Sequence, residues 1–259
     1  MAKQINLNSD MGESFGAYTI GDDAALLTVI NSANIACGFH AGDPVVMCDT
    51  VKTAFANGVS VGAHPGFPDL QGFGRRRMTM SAREVEAMVT VQIGALSAAA
   101  AAGGGKVTHV KPHGALSNIA AADDALAAAI ARAIRAVDRD LIFLAPALSA
   151  MARAGEAAGL RVAIEIFADR AYAPDGQLAP RGQPGAMIHE PEASLKHVLR
   201  MVEEQALFPL AGGRLPTPVD SVCVHGDGPV ALATARLVRE GLGKAGYSLM
   251  PLPDMARLA

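Results

Sequence analysis

INLNSD (residues 5–10) has the alternation of a β-strand with one polar face. Side chains alternate along a strand, so Asn6, Asn8 and Asp10 point to one side while Ile5 and Leu7 point to the other. Three more stretches repeat this pattern: THVKPH (108–113), AIEIFAD (163–169) and CVHGD (223–227). Their ionisable groups concentrate toward the C-terminal end of each strand, which is where chemistry occurs in parallel α/β folds. The four stretches predict one convergent site and an enzyme or part of one.

Strand and helix patterns alternate seven times along the chain. Strands are predicted near 4–9, 33–38, 59–64, 106–112, 141–146, 161–168 and 221–226. Helices are predicted near 21–31, 44–57, 81–102, 123–137, 148–158, 190–206 and 229–246. Two helix starts are marked by Asp43-Pro44 and by the capping box Ser81–Glu84. Such alternation indicates βα units and a mainly parallel sheet.

A barrel is favoured over an open sheet. The chain has neither GxGxxG after its first strand nor GxxxxGK[ST] anywhere. Ionisable residues come from several strands, as they do around the ring of a barrel. We predict an irregular seven-stranded (β/α) TIM-like barrel, as one domain over 1–259. The Gly- and Pro-rich stretch 169–188 is predicted to be a long loop or hairpin, either a lid on the site or a surface excursion.

Composition excludes several classes of protein. The 259 residues are 51% hydrophobic and 18% charged with a net charge of −3, which is globular and offers no basic stripe for nucleic acid. Three cysteines fit neither a disulfide framework nor a CxxC metal site, which favours a reducing, cytoplasmic location. No signal peptide is visible, and no apolar run reaches the ~18 residues that span a membrane.

The loops after the first three strands carry further candidates. Asp10 and Glu13 in NSDMGE are either paired acid and base groups or a helix cap and a solvated carboxylate. His40 lies in CGFHAGDP, where nucleophilic catalysis by Cys37 is disfavoured because free cysteine is usually just buried. GAHPGFPDLQGFGRR holds His64, and its arginines suit a carboxylate or a phosphate.

HVKPH contains the spacing HxxxH, which on a helix would bind a metal. Pro112 and the β-rich residues before it favour a strand, on which His109 and His113 would be ~13 Å apart. Lys111 is instead predicted to stabilise negative charge on an oxygen. A metal held by Asp10, His64 and one of His40 or His113 stays open.

The last two strands complete the set. Glu165, Asp169 and Arg170 come from the sixth strand. His225 and Asp227 come from the seventh, where a His–Asp pair is either functional or a structural hydrogen bond. Asn8, Asn34, Arg76, Glu165 and Arg170 are predicted to bind substrate.

Together these motifs resemble the LamB/YcsF family, whose members are called lactam utilisation protein or the A subunit of 5-oxoprolinase. The resemblance rests on INLNSDMGESFG, NIACGFHAGDP, GAHPGFPDLQGFGRR, HVKPHGALSN, FADRAY and VHGD. It covers nearly the whole chain. Ser117 departs from the pattern, since the family usually has tyrosine before Asn118.

The resemblance implies a distorted barrel of the glycoside hydrolase/deacetylase type. It also implies ATP-dependent opening of 5-oxoproline to glutamate, together with subunits B and C. By motif, the implied site residues are Asp10, Glu13, His40, His64, Lys111, His113, Asp169, Arg170, His225 and Asp227. ATP is expected at the level of the complex, because this chain has no nucleotide fingerprint.

Two other functions stay open. A self-sufficient metal-dependent deacetylase of a sugar or small amide is suggested by the fold relation and the Asp/His set. The other alternative is a non-catalytic subunit that only presents 5-oxoproline to its partners.

Overall fold

The computed structural model describes residues 3–225 and 230–258. The elements follow in the order β1 (Lys3–Met11), α1 (Asp23–Leu26), β2 (Ser32–Ala36), α2 (Pro44–Ala56), β3 (Ser60–His64), α3 (Ala82–Ala102), β4 (Val107–Val110), α4 (Gly114–Ala120), α5 (Asp124–Val137), β5 (Ile142–Pro146), α6 (Ala150–Ala157), β6 (Arg161–Phe167), α7 (Pro191–Glu204), β7 (Ala206–Leu207), β8 (Leu215–Pro216), β9 (Ser221–Cys223), α8 (Ala231–Lys244) and β10 (Tyr247–Leu249). A 3-10 turn (Leu252–Asp254) follows.

Seven parallel strands close into a barrel. The ring runs β1-β2-β3-β4-β5-β6-β9, and β9 pairs back to β1 with Asn8 opposite Cys223. On the other side of β1, Asp10 lies opposite Asn34 of β2. The predicted irregular seven-stranded barrel is therefore confirmed. Parallel pairing all round the ring brings the C-terminal ends of all seven strands to one mouth.

Two helices differ from the sequence prediction. The helix predicted at 21–31 is only the four-residue α1, because the chain turns after Leu26 and Asn31 N donates to Leu7 O at 2.8 Å to join the sheet. Helix α4 was not predicted; it begins shortly after β4 at Gly114, which adopts a φ of 53°. The two predicted helix starts are confirmed: Asp43 caps α2, and Ser81 with Glu84 forms the capping box of α3.

The strands put their apolar face outward, against the helices. Ile5, Leu7 and Val222 are completely buried in that layer. The barrel interior is polar instead, and Gly62 makes room for it, since a Cβ there would overlap the ring of His109. Branched apolar residues usually fill such an interior, so the polar filling points to function.

The C-terminal segment closes the opposite end of the barrel. Leu252, Met255 and Leu258 pack on Ile142 and Leu144, which face into the barrel near its N-terminal end. The barrel interior is therefore open only toward the mouth at the C-terminal ends of the strands, as far as the described residues show.

Helix α3 bears on the prediction that no apolar run spans a membrane. Among the described residues it is long and apolar enough, by length and composition, to cross a membrane. Val85, Val89, Ile93 and Leu96 are nevertheless buried on one face of this helix. A packed core helix of this kind passes the same test, so the feature is weak evidence for a membrane span.

Candidate active site

Buried polar side chains fill the barrel below its mouth. Asn8 Nδ2 donates to Glu165 Oε1 at 2.9 Å and to Ser221 Oγ at 2.8 Å. Asn34 Nδ2 donates to Asn8 Oδ1 at 2.8 Å, and Asn34 Oδ1 lies 3.1 Å from His109 Nε2. An unpaired buried polar group costs about 1–3 kcal/mol, so these bonds hold their members in one arrangement. The network is a rigid floor for the groups above it.

Lys111 is a buried cation standing on this floor. Its Nζ lies 2.9 Å from Asp10 Oδ1 and 3.0 Å from Glu165 Oε1. Cys223 Sγ is 3.1 Å from the same nitrogen. Burial favours the neutral amine, but Asp10, Cys223 and Glu165 together hold the pKa of Lys111 well above its usual value. The side chain is therefore an ammonium at the mouth.

Asp10 and Glu165 share this ammonium but differ in environment. Burial alone would raise the pKa of Asp10, yet His64 and Lys111 hold it well below its usual value. Burial does raise the pKa of Glu165, and Lys111 offsets only part of that. Asp10 therefore has the lower pKa of the two carboxyl groups, and it sits at the mouth while Glu165 lies beneath.

Backbone carbonyls determine which nitrogens of His64 and His113 carry protons. His64 Nδ1 lies 2.6 Å from Lys111 O, and His113 Nε2 lies 2.8 Å from Phe73 O. A carbonyl only accepts, so in neutral rings both of these nitrogens are protonated. His64 Nε2 and His113 Nδ1 then face each other 3.0 Å apart with lone pairs. Two lone pairs at this distance repel each other unless a cation lies between them, either a proton on His64 or a metal ion.

Glu13 and His40 join these two histidines, and we call the four residues the imidazole cluster. His40 stacks on His113 with ring centroids 3.8 Å apart. Glu13 Oε1 lies 3.5 Å from His40 Nε2 and 3.4 Å from His113 Nδ1. Burial, reinforced by neighbouring positive charge, lowers the pKa of His40 well below its usual value and that of His113 to about 3. These two rings are therefore neutral and able to act as ligands.

The imidazole cluster fits a metal ion. One ligand atom from each of its four residues lies within 4.8 Å of the others. Neither ring nitrogen of His40 has a hydrogen-bond partner among the described residues, although both are buried. Imidazole and carboxylate ligands suit zinc and other hydrolytic metals, and the backbone bonds of His64 and His113 are typical of ligands held in orientation.

Asp169 and His225 form a second ionisable unit, each two residues after the end of its strand, β6 and β9. His225 Nδ1 lies 2.9 Å from both oxygens of Asp169. Its ring stacks on Phe167, with centroids 5.8 Å apart. Burial disfavours the imidazolium, but Asp169 outweighs it and raises the pKa of His225. The protonated form of His225 therefore persists to higher pH than that of an ordinary histidine.

These groups surround a narrow cavity of about 50 Å³. Its lining consists of Asp10, Glu13, His64, Arg75, Lys111, Pro112, His113, Gly114, Ser117, Asn118, Phe167, Arg170, Leu178, Arg181 and His225. The loop between β6 and α7 contributes Arg170, Leu178 and Arg181. It folds back on itself through bridges from Arg170 to Met187 and from Tyr172 to Leu178. The predicted loop or hairpin at 169–188 thus forms part of the cavity wall.

The predicted catalytic residues gather closely. Six of them line the narrow cavity: Asp10, Glu13, His64, Lys111, His113 and His225. His40 and Asp169 lie directly behind this wall, each in contact with a lining histidine. Asp227 lies outside the described residues.

The predicted substrate-binding residues are more dispersed. Arg170 lines the cavity. Asn8, Asn34 and Glu165 are buried in the floor below it. Arg76 pairs with Asp69 and lines a separate surface depression. Their roles in substrate binding stay predictions.

Sequence reasoning missed Cys223 and Arg181. Cys223 is two residues before His225, so the same strand alternation places it on the inner face. Arg181 is only one of several charged residues in a loop. Only the folding of that loop brings it to the cavity.

The family model described as the LamB/YcsF family matches residues 5–257. The chain belongs to the LamB/YcsF family. It is 58% identical over 252 residues to a protein from Azoarcus sp. (strain BH72) named as the A subunit of 5-oxoprolinase, covering 97% of this chain and 98% of that protein. It is 53% identical to a protein of the same name from Methylococcus capsulatus, over 97% of each chain.

Solved structures agree with this family assignment. The lactam utilization protein from Thermus thermophilus superposes with a TM-score of 0.90 at 46% identity, covering 95% of this chain and 99% of that one. A family 4 carbohydrate esterase from Streptomyces lividans, bound to acetate, matches with a TM-score of 0.51 at 13% identity, covering 96% and 93%. The second match shows the fold alone: a barrel like those of the carbohydrate esterases, as predicted.

Proposed function

We propose that this chain is the subunit of an ATP-dependent 5-oxoprolinase in which the lactam ring of 5-oxoproline is opened to L-glutamate. The proposal is supported by the name that its relatives carry. The observation that carries it is that the Asp10–Lys111 ion pair, at 2.9 Å, and the His225–Asp169 pair, at 2.9 Å, meet at one small cavity. Amide hydrolysis needs both a base and an acid. The pKa of Asp10 is lowered and that of His225 is raised, so the two sides of the cavity suit these two roles.

Water is activated on the Asp10 side. His64 Nε2 accepts the proton, because its Nδ1 is already bonded to Lys111 O. Asp10 Oδ2, at 3.3 Å from that nitrogen, stabilises the imidazolium that forms. Asp10 itself is a weaker base, since its pKa is held low. Lys111 stabilises negative charge on the former carbonyl oxygen.

The ring nitrogen leaves on the opposite side. His225 donates a proton to it as the C–N bond breaks, and Asp169 holds the imidazole in place. With the carbonyl oxygen phosphorylated by ATP, water addition and C–N cleavage yield an acyl phosphate. A second water then releases glutamate and phosphate. Overall, one ATP and two waters are consumed for each glutamate.

The nucleotide step is assigned to the complex and not to this chain alone. The chain carries no P-loop motif, and the relatives are named as one subunit. We propose that subunits B and C are its partners and that the complex works in the cytoplasm. Substrate is a small molecule; neither nucleic acid nor membrane is part of the proposal.

The test is glutamate formation from 5-oxoproline and ATP, by this chain alone and then with subunits B and C. Turnover that requires all three supports the proposal. Asp10→Asn and Lys111→Met should each abolish most of it in a chain that remains folded by circular dichroism. Near-normal turnover in both variants would instead indicate a subunit that only presents substrate.

A metal-dependent deacetylase is the second candidate, favoured by the imidazole cluster. Glu13, His40, His64 and His113 would hold the ion, which when bound would lower the pKa of a water molecule and polarise a carbonyl. Stoichiometric divalent metal in the purified chain, with release of acetate from an N-acetyl sugar in the absence of partners and ATP, would favour this activity over the first.

A further inference from the structure

A second, wider cavity of about 420 Å³ adjoins the narrow one. The two share Arg75, Gly114, Asn118, Arg170, Leu178 and Arg181 in their walls. The described residues lining the wider cavity include three arginines and no carboxylate. Its remaining wall is largely apolar, with Ala121, Ala122 and Pro146 among its members. Positive charge against apolar walls favours an anionic ligand.

Arg170 is a buried arginine in the wall of this cavity, with one donor unpaired within the described part of the chain. The residue is only 5% exposed. Its Nη2 donates to Ala179 O at 2.8 Å, but its buried Nε has no hydrogen-bond partner among the described residues. A buried donor on a charged group is costly to leave unpaired, so a missing anion is the simplest reason for it.

Two neighbouring arginines add positive charge around Arg170. Burial lowers the pKa of Arg170, and the positive charges of Arg181 and Arg75 lower it further, against the pull of Asp169. Arg181 is exposed and comes from the same loop. Arg75 comes from the opposite wall, where it lies over the ring of Phe73. Three guanidinium groups from two loops therefore converge on one space.

We propose that this wider cavity is a phosphoryl-binding subsite, in which the buried guanidinium of Arg170 and the exposed one of Arg181 supply the cations. A guanidinium presents its donors in a planar fork that matches two phosphate oxygens. A phosphoryl group carries more negative charge than a carboxylate, which suits several arginines. The shared wall places such a group beside Lys111 and Asp10. The inference extends the proposed function and rests on it, since a phosphorylated amide could occupy both cavities.

The test measures binding on the full chain without turnover. Inorganic phosphate is titrated by calorimetry, and competition by AMP-PNP and by 5-oxoproline is followed. We expect phosphate binding to weaken at least tenfold in Arg170→Gln and to recover in part in Arg170→Lys. Arg181→Gln, an exposed change that should not impair folding, should also weaken it. Arg153→Gln, at an exposed arginine paired with Asp124, is the matched control and should bind as the wild type does.

Equal phosphate binding by the wild type, Arg170→Gln and Arg181→Gln would overturn the inference, as would no binding at all. It would also be overturned if 5-oxoproline, and not phosphate, depended on Arg170, because the site would then hold a carboxylate. Competition by AMP-PNP would identify a nucleotide as the source of the phosphoryl group; phosphate binding without it would identify a phosphorylated substrate. Either result supports the subsite. The proposed function is tested separately by turnover of the complex, so each can fail alone.

Discussion

The imidazole cluster and the Asp169–His225 pair use the same residue type at the same end of the barrel, with opposite results. His113 lies among other imidazoles, and burial lowers its pKa to about 3. His225 lies against one carboxylate, which outweighs burial and raises its pKa. One side therefore offers lone pairs and the other offers a proton. The difference shows that a carboxylate partner can reverse the effect of burial on the pKa of a histidine and so change its chemical role.

Asp10 is the group that both regions share. Its charge acts on His64 and on Lys111, and His225 in turn contributes to keeping Asp10 ionised. We expect Asp10→Asn to lower kcat/KM for 5-oxoproline by at least roughly 10³-fold, because stabilisation of the His64 imidazolium and the ion pair with Lys111 are lost together. Glutamate formation by the complex is the measurement. Asp124→Asn, at an exposed ion pair, is the control and should keep wild-type turnover. A loss below tenfold would separate Asp10 from the chemistry.

Metal binding should distinguish the two regions. We expect His113→Gln to weaken zinc binding by at least the roughly 10–100-fold that loss of an outer-shell partner costs, since it removes a ligand itself. Asp169→Asn should retain zinc, because it lies outside the imidazole cluster. Equilibrium dialysis with metal analysis is the measurement. If wild type and both variants bind zinc equally or not at all, the facing lone pairs are explained by a proton on His64.

The pH dependence of kcat should change when the Asp169–His225 pair is altered, since the proposed acid belongs to this pair and not to the imidazole cluster. Asp169 raises the pKa of His225, so the acid form of His225 persists to higher pH in the wild type. Replacing Asp169 by Asn removes that effect, and the alkaline limb of the kcat profile should move to lower pH. Each pH unit beyond the limb costs about tenfold in rate. An unchanged alkaline limb in Asp169→Asn would mean that His225 is not the acid.

The smallest expected effect is at Phe167. Its ring stacks on His225, and Lys111 Nζ lies over the same ring, 5.4 Å from the ring centroid. Such ring contacts contribute about 0.5–1.5 kcal/mol. Phe167→Leu should therefore lower kcat roughly two- to tenfold and leave zinc binding unchanged. A larger loss, or loss of zinc, would show that the two regions are coupled through this ring.

The barrel and most of its site follow from local patterns in the sequence. Period-two alternation in INLNSD and THVKPH predicts that Asn8, Asp10 and Lys111 share an inner face, and they do. The helix predicted at 21–31 was wrong because a run of apolar residues does not reveal where the chain must turn to join the sheet. Arg76 and Arg170 look alike as loop arginines, yet one pairs with Asp69 outside and the other is buried at the cavity.

The order of residues alone determined which side chains face into the barrel and at which end the ionisable ones collect, because a strand's alternation and parallel pairing are properties of short segments. The fold in three dimensions determined which nitrogens of His64 and His113 face a backbone carbonyl, which carboxyl group has the lowered pKa, and which arginine is buried with an Nε unpaired among the described residues. Those properties depend on distances of a few ångströms between residues as far apart in the chain as Glu13 and His113. Coulombic and desolvation energies change steeply over such distances, and no local pattern specifies them.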